Sequence, residues 1–181
     1  RAVSGLWECD DRNLVGPLIS LLKEDTSEHV RASAAMALGK FGSLAELGKL
    51  LPRDGERVKE ALLSVLEDEW DSIEVRRRTL EAAACFNTPR THELIRWAYN
   101  SSEPLLSVSA LYAMGRTGDP AWLATLINEM ASDDKAMRYE AASACAEMME
   151  EDTVPYLIPL IQDDDIQVQL SAIRSLGTIG G

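Results

Sequence analysis

One pattern recurs five times along the chain and constrains the fold more than any other feature. It consists of an apolar residue, usually followed by Arg, then two variable positions, two mostly small or apolar positions and a run that ends near Gly. The copies begin at Val30, Val75, Leu106, Met137 and Val168, at intervals of 45, 31, 31 and 31 residues. Such a short period is typical of stacked structural repeats, not of a globule with one closed core.

A second apolar stripe precedes each copy of the pattern where it can be read clearly. Leu18, Leu21 and Leu22 lie before Val30, and residues 94–98, 123–130 and 156–161 show the same spacings of three and four. These spacings predict amphipathic helices. Each repeat is therefore predicted to contain a first helix, a short acidic turn and a second helix. Abundant Ala and Leu, with only two Phe, argue against a β-sandwich, and we expect essentially no strand.

The predicted fold is all-α, a right-handed α-α superhelix, or solenoid, built from helix pairs of about 31 residues. The whole chain, 1–181, is predicted to be one such domain. Its parts are the tail of a preceding repeat at 1–8 and repeats at 10–42, 43–87, 88–118, 119–149 and 150–181.

The long first interval is explained by an insertion at 43–56, where Leu44, Leu47, Leu50 and Leu51 predict a short extra helix that ends at residues 52–55. Gly39, Gly42, Gly115 and Gly118 are expected to close second helices. Because neither terminus has the polar outer face of a capping repeat, we expect further repeats or domains of the same polypeptide at both ends.

Charge and cysteine content narrow the function. The formal net charge is -12 and the isoelectric point is near 4.6, so the surface as a whole repels nucleic acid and anionic membranes, and neither is expected as a partner. No apolar run has the length of a membrane span. Cys9, Cys85 and Cys145 are far apart and lack metal-binding spacing, which favours reduced thiols and a cytoplasmic location.

The run VRASAAMALGKFG at 30–42, with its echo GRTGDP at 115–120, closely resembles the HEAT-like repeat named after phycobilisome (PBS) lyases. The resemblance covers nearly the whole chain except 43–56. It implies a solenoid that acts as a general interaction scaffold, although some relatives are bilin lyases or hydroxylases. The repeats are degenerate, since Ser107 and Gln169 replace the Arg, and Ala84 and Ala146 replace the Gly.

Arg31, Arg76 and Arg138 recur at one repeat position. The resemblance implies that this Arg is structural and pairs with carboxylates of the turns, while a ligand-binding role is the alternative. The turns themselves carry acidic residues at 25–28, 67–71, 133–134 and 163–165. Helix capping explains most of these carboxylates, and docking of a basic partner is the alternative.

The variable positions of the second helices are the candidate binding surface, because spacings of three and four place them on one helix side. We expect that side to line a concave groove that binds a protein or peptide, with an amphipathic or acidic peptide as the natural ligand. A solvated face with ion pairs, such as Arg77 or Arg78 with Glu81, is the alternative. The candidate residues are Met36, Arg77, Arg78, Glu81, Tyr112, Arg116, Tyr139, Ser143 and Arg174.

No catalytic, cofactor or metal residue is predicted. A hydroxylase of the resembling class would hold two irons with several His-Glu pairs, whereas this chain has only His29 and His92. The competing function is a bilin lyase-like subunit whose groove binds a tetrapyrrole, for which Cys85 is the sole thiol expected on the groove side. Trp97 and Trp122, one repeat apart on first helices, are expected to pack between layers.

Overall fold

The computed structural model describes residues 11–68 and 71–180, and all regular structure in these ranges is helical. The prediction of an all-α chain is confirmed for this part, and the predicted repeat tail at 1–8 lies outside it. The helices are α1 (Val15–Glu24), α2 (Glu28–Glu46), α3 (Pro52–Leu66), α4 (Ile73–Ala83), α5 (Pro89–Tyr99), α6 (Pro104–Thr117), α7 (Leu123–Glu129), α8 (Lys135–Met148), α9 (Val154–Leu160) and α10 (Ile166–Gly180). Short 3₁₀ turns at Arg12–Leu14, Pro120–Trp122 and Glu151–Thr153 precede α1, α7 and α9.

The chain forms two compact units, Arg1–Ser109 and Ala110–Gly181. In the first unit, α2 packs against α1, α3 and α4, and α3 also packs against α4. In the second unit, α8 packs against α7 and α10, and α10 packs against α9. Odd-numbered helices are thus the first helices of pairs and even-numbered helices the second. The prediction of one array that runs through all 181 residues stays a prediction.

Small and aliphatic side chains form the interior of each unit, which follows from a composition rich in Ala and Leu. Leu38, Leu62 and Leu80 are fully buried in the first unit, and Leu126 and Leu157 in the second. Ala residues at the facing positions of second helices are also buried. Because Ala adds little bulk, neighbouring helices approach closely, and burial of about 25 cal/mol per Å² of apolar surface stabilises the stack.

Side-chain caps begin several of the helices. Thr88 caps α5 through its hydroxyl, which accepts a hydrogen bond from Thr91 N at 3.2 Å, and Pro89 takes the first helical turn. Asp119 caps the 3₁₀ turn before α7, with 2.8 Å from Ala121 N to its carboxylate. Asp134 caps α8 in the same way. These side chains satisfy amide groups that have no partner inside the helix.

The predicted extra helix in 43–56 is wrong. Gly39 and Gly42 do not end α2, which continues to Glu46, and residues 52–55 form the first turn of α3 instead of ending a helix. The glycines serve close packing: a Cβ on Gly39 would lie 2.9 Å from the Cα of Ala82 in α4. Gly118 does fit the prediction, since it follows α6 with a φ of +64°.

Candidate protein-binding face of the second helices

The candidate residues all lie on second helices, and in each unit separately we call the side that carries them the second-helix face. In the first unit it holds Met36 on α2 with Arg77, Arg78 and Glu81 on α4; in the second unit it holds Tyr112 and Arg116 on α6, Tyr139 and Ser143 on α8, and Arg174 on α10. Met36 and Tyr112 are 41% and 40% exposed. Large side chains that stay in solvent on a repeat surface are available for contact with a partner.

The part of this face on α4 is a closed network of ion pairs. Arg77 Nε donates to Glu74 Oε2 at 2.5 Å, and Arg78 Nη1 donates to Glu81 Oε2 at 2.9 Å. Ser109 Oγ adds a hydrogen bond of 2.6 Å to Glu81 Oε1. Burial raises the pKa of Glu74, but the hydrogen bonds from Arg77 and Arg78 outweigh it, so the pKa lies below its usual value. The two Arg charges are therefore balanced within the helix, as the ion-pair alternative predicts.

The part of the face on α8 and α10 contains a surface depression of about 210 Å³. Two hydroxyl groups tie these helices together: Ser171 Oγ donates to Tyr139 O at 3.1 Å, and Ser175 Oγ donates to Ala142 O at 2.8 Å. The depression thus has a fixed floor and polar walls. Its lining consists of Tyr139, Ser143, Ala146, Glu147, Ser171, Arg174, Ser175 and Thr178.

Two of the three repeated arginines pair with turn carboxylates of the following helix pair. Arg31 Nε donates to Leu22 O at 2.7 Å in α1, the first helix of its own pair, and its guanidinium holds both carboxylate oxygens of Asp71 in the turn between α3 and α4. Arg138 does the same between α8 and the turn before α10. Its Nε and Nη2 each lie 2.8 Å from an oxygen of Asp163, and Nη2 also reaches Asp164 at 2.7 Å.

This arrangement is strong because a planar guanidinium matches a carboxylate with two parallel hydrogen bonds. The side chains of Arg138 and Asp163 are 13% and 7% exposed, so water screens the pair only partly. The hydrogen bond from Arg138 lowers the pKa of Asp163 to about 2. The acidic turns in these places therefore join successive helix pairs.

Arg76 does not follow the prediction that it pairs with a turn carboxylate. Its Cζ lies 4.3 Å from the ring centroid of Trp97, a cation-π contact, and within the described ranges its Nε has no hydrogen-bond partner. The physical reason is the composition of the next turn, where Ser101 and Ser102 stand at the repeat positions of Asp163 and Asp164. Trp97 consequently stays 38% exposed beside Arg76, whereas Trp122 is buried as expected.

The residues that replace Arg keep its hydrogen bonding to its own turn. Ser107 Oγ lies 3.3 Å from Ser101 O, and Gln169 Nε2 donates to Asp163 O at 2.6 Å. Both side chains bond to a carbonyl oxygen of their own turn, as Arg138 does with Ser132 O and Asp133 O. Arg31 and Arg138 also bind a carboxylate of the following turn, so this position has a local and a longer-range function.

The cysteines and histidines of the described ranges have different surroundings. Cys85 is half-buried and donates to Ala82 O at 3.3 Å, and its Sγ lies 2.5 Å from the place where a Cβ on Gly42 would stand. It therefore faces α2 at the helix interface, not an open groove as predicted. His92 Nε2 lies 2.7 Å from Asn87 Oδ1, while His29 is exposed. In residues 11–68 and 71–180 no three potential ligands cluster as a metal site.

Several charged residues in these networks were not predicted. Glu74 lies three and four residues before Arg77 and Arg78, a spacing that was readable from the sequence. Arg90 on α5 binds Glu67 at 2.7 Å and Glu60 at 3.0 Å. The hydrogen bond from Arg90 lowers the pKa of Glu67. The contacts of Arg90 join one helix pair to the next, so they cannot be predicted from sequence spacings within a helix.

Paired helices whose second members pack through small residues define a helical repeat protein of the α-solenoid class. A family model of HEAT repeats matches residues 1–67 and 123–181, and the chain therefore belongs to the HEAT repeat family. No curated protein sequence matches the chain. No helix in the described part of the chain has both the length and the apolar character needed to cross a membrane.

Solved structures of low sequence identity share the fold. An engineered protein from the Northeast Structural Genomics Consortium is 20% identical, with a TM-score of 0.58 over 92% of this chain and 79% of the other. A designed armadillo repeat protein in complex with the peptide (KR)4 is 18% identical, with a TM-score of 0.54 over 98% and 85%. Human deoxyhypusine hydroxylase in complex with glycerol is 16% identical, with a TM-score of 0.54 over 94% and 75%.

Proposed function

We propose that this HEAT repeat protein is a non-catalytic scaffold or regulatory module that binds a peptide or protein along the second-helix face, the concave side expected of such an array. The observation that carries the proposal is the depression between α8 and α10, where Tyr139 and Arg174 stand over a floor tied by Ser171 and Ser175. Tyr and Arg are the residue types that dominate binding energy at protein interfaces.

The charges of this face favour an amphipathic peptide over a purely acidic one. Arg77 and Arg78 are already balanced by Glu74 and Glu81, and Arg116 lies 3.7 Å from Glu147 in the second unit. A partner that offers apolar side chains to Tyr139 and a carboxylate to Arg174 complements what remains. The similar armadillo protein that was solved with a (KR)4 peptide supports peptide binding by such a fold in general.

Peptide display tests the proposal without knowledge of the natural partner. A library of random peptides is selected on the wild-type chain, and the dissociation constants of the best peptides are measured by fluorescence polarisation. Tyr139→Ala and Arg174→Ala are each expected to weaken binding by about tenfold or more, because residues of these types are interface hot spots.

The matched control is Tyr156→Ala, since Tyr156 is 49% exposed but lies on α9, a first helix. This change is expected to leave the affinity within about twofold of wild type, as for energetically neutral positions. Binding that is lost with Tyr156→Ala and kept with Tyr139→Ala would contradict the proposal and direct attention to the first helices.

The finer family assignment belongs to the same proposal. If the chain is a PBS lyase-type HEAT protein with the competing function, it binds a tetrapyrrole, and incubation with phycocyanobilin shifts the absorbance spectrum of the pigment. We expect no shift, because Cys85 faces α2 and the sequence has only two His. We also propose a cytoplasmic location, which is inferred from the scattered cysteines.

A further inference from the structure

The pairing of Arg with the next turn follows a fixed register. Arg138 and Asp164 are 26 residues apart, and they form a hydrogen bond of 2.7 Å. Asp71, the partner of Arg31, occupies the same repeat position as Asp164 once the long interval is taken into account. In both cases an Arg on a second helix forms an ion pair with a carboxylate in the turn of the following helix pair.

Arg76 occupies the Arg position of this repeat, but the matching position of the following turn is not acidic. The residue 26 positions after Arg76 is Ser102, and Ser101 precedes it, so Ser stands at the positions of Asp163 and Asp164. The acidic residue of that turn, Glu103, stands at the position of Asp165. Arg76 is only 7% exposed, and its Nε has no hydrogen-bond partner among the residues that the structure describes. A buried guanidinium nitrogen without a hydrogen-bond partner is costly, and the Trp97 ring compensates for only part of that cost.

The guanidinium of Arg76 lies over the ring of Trp97, which stands in the last turn of α5, the helix that leads into this turn. Ser101 Oγ accepts a hydrogen bond from Glu103 N at 3.1 Å, so that hydroxyl is engaged in the turn. Ser102 is exposed to solvent. Of the two serines, Ser102 stands at the repeat position of Asp71 and is open to modification.

We propose that Ser102 is a phosphorylation site and that its phosphate ester is received by Arg76, which restores the link that Arg31 makes with Asp71 and Arg138 makes with Asp164. A phosphoserine carries about −1.5 to −2 charges and three acceptor oxygens, so it suits a guanidinium at least as well as a carboxylate does. The inference is independent of peptide binding by the second-helix face, because it concerns the turn that joins α5 to α6.

The modification is an ordinary phosphoryl transfer from a nucleoside triphosphate by a protein kinase. The Ser102 Oγ–P bond forms as the bond from the γ-phosphorus to the bridging oxygen breaks, and the nucleoside diphosphate leaves with that electron pair. The hydroxyl proton passes to the base of the kinase. No oxidant or reductant takes part. Once formed, the ester is expected to draw Arg76 away from the ring of Trp97.

The test uses the full chain with phosphoserine incorporated at position 102, compared with the unmodified chain by thermal unfolding. We expect phosphorylation to raise the Tm by about 2–4 °C, the shift that one added charge-assisted pair produces in a chain of this size. In an Arg76→Met background, which keeps an unbranched apolar side chain near Trp97, the rise should be absent. An equal shift in both backgrounds, or no shift in either, overturns the proposal.

Aspartate variants give a second readout that needs no modified amino acid. Ser102→Asp is expected to raise the Tm relative to Ser102→Asn only when Arg76 is present, and sodium chloride should reduce the difference. The matched control is Thr26→Asp, because Thr26 is exposed and has the same repeat position in the turn before α2. A rise in Tm with Thr26→Asp that equals the rise with Ser102→Asp would contradict a specific role of Arg76 in binding the negative charge.

A titration with inorganic phosphate distinguishes binding of a phosphate attached to Ser102 from binding of free phosphate by Arg76. The unmodified chain is titrated with sodium phosphate at constant ionic strength, and the Tm is expected to stay unchanged. A rise that disappears in Arg76→Met and matches the effect of phosphoserine would show that Arg76 collects oxyanions from solution. That result would overturn the assignment of Ser102 as the source of the phosphate.

Discussion

Gly115 lies so close to Ala144 that a Cβ on Gly115 would stand 2.6 Å from the Ala144 Cα and 2.9 Å from its carbonyl oxygen. The second helices α6 and α8 thus meet backbone to backbone at this point. Gly39 and Ala82 have the same relationship between α2 and α4. In these positions Gly is required by the distance between helices and not by a turn, since both glycines have ordinary helical neighbours on either side.

Gly115→Ala is therefore expected to destabilise the chain by about 1–3 kcal/mol, because the added methyl group forces two backbones apart. Urea unfolding followed by circular dichroism measures the change. Gly177 is the matched control, since it has the same repeat position in α10 and nothing lies within 4 Å of its Cβ direction. Gly177→Ala should stabilise the helix by up to about 1 kcal/mol. Changes of the same sign at both positions would refute the close-packing explanation.

The Arg138–Asp163 pair predicts a loss of stability in acid. The hydrogen bond from Arg138 holds the pKa of Asp163 at about 2, below its ordinary value of 3.8. A carboxyl whose pKa is depressed in the folded state contributes stability that is fully present above pH 4 and is lost as the pH falls towards 2. The free energies of unfolding of wild type and Asp163→Asn should differ by about 1–2 kcal/mol at pH 7 and converge near pH 2.

The control for this pH series is Asp164→Asn. The Asp164 side chain is 90% exposed although it also touches Arg138, so its removal is expected to cost less than about 1 kcal/mol at any pH. Urea titrations from pH 2 to pH 7 compare the two variants. A difference between wild type and Asp163→Asn that does not change with pH would show that the carboxylate charge is not what stabilises the joint.

A double-mutant cycle measures the link between Arg31 and Asp71. Arg31→Met, Asp71→Asn and the double variant are expected to give a coupling energy of about 1–3 kcal/mol, because both carboxylate oxygens accept charge-assisted hydrogen bonds and Asp71 is only 4% exposed. Lys59 and Glu56 form the comparison pair. They lie 2.7 Å apart, but Glu56 is 61% exposed, and their coupling should stay below about 0.5 kcal/mol. Equal couplings would mean that burial of the Arg31 pair adds nothing.

The helix pairs and most caps were predictable because their signals are local. The spacing of Leu18 and Leu22 indicates α1, and Thr88 before Pro89 is typical of a helix start, here that of α5. The role of Gly39 was not predictable in the same way. A glycine near the end of an apolar run fits a helix terminator and a close contact equally well, and only the position of Ala82 across the interface decides between them.

The candidate site shows the same division. That Met36 and Tyr112 are exposed followed from their register on second helices, and so did the ion pairs within α4. That Arg76 contacts Trp97 instead of a turn carboxylate did not follow from its register. Ser101 and Ser102 explain it and are visible in the sequence, but their meaning is clear only once Arg31 and Arg138 are seen to bind carboxylates in the turn of the following pair.

The two described cysteines should differ in reactivity, which tests the packing of α8. Burial raises the pKa of the Cys145 thiol to about 12, so at pH 8 only on the order of one molecule in ten thousand carries the reactive thiolate. Iodoacetamide is therefore expected to modify Cys145 only as fast as the chain opens, and more slowly than half-buried Cys85. Peptide mass spectrometry at timed intervals measures both rates. In 8 M urea the two cysteines should react at similar rates. If Cys145 of the native chain reacted as fast as it does in urea, its buried position on α8 would be contradicted.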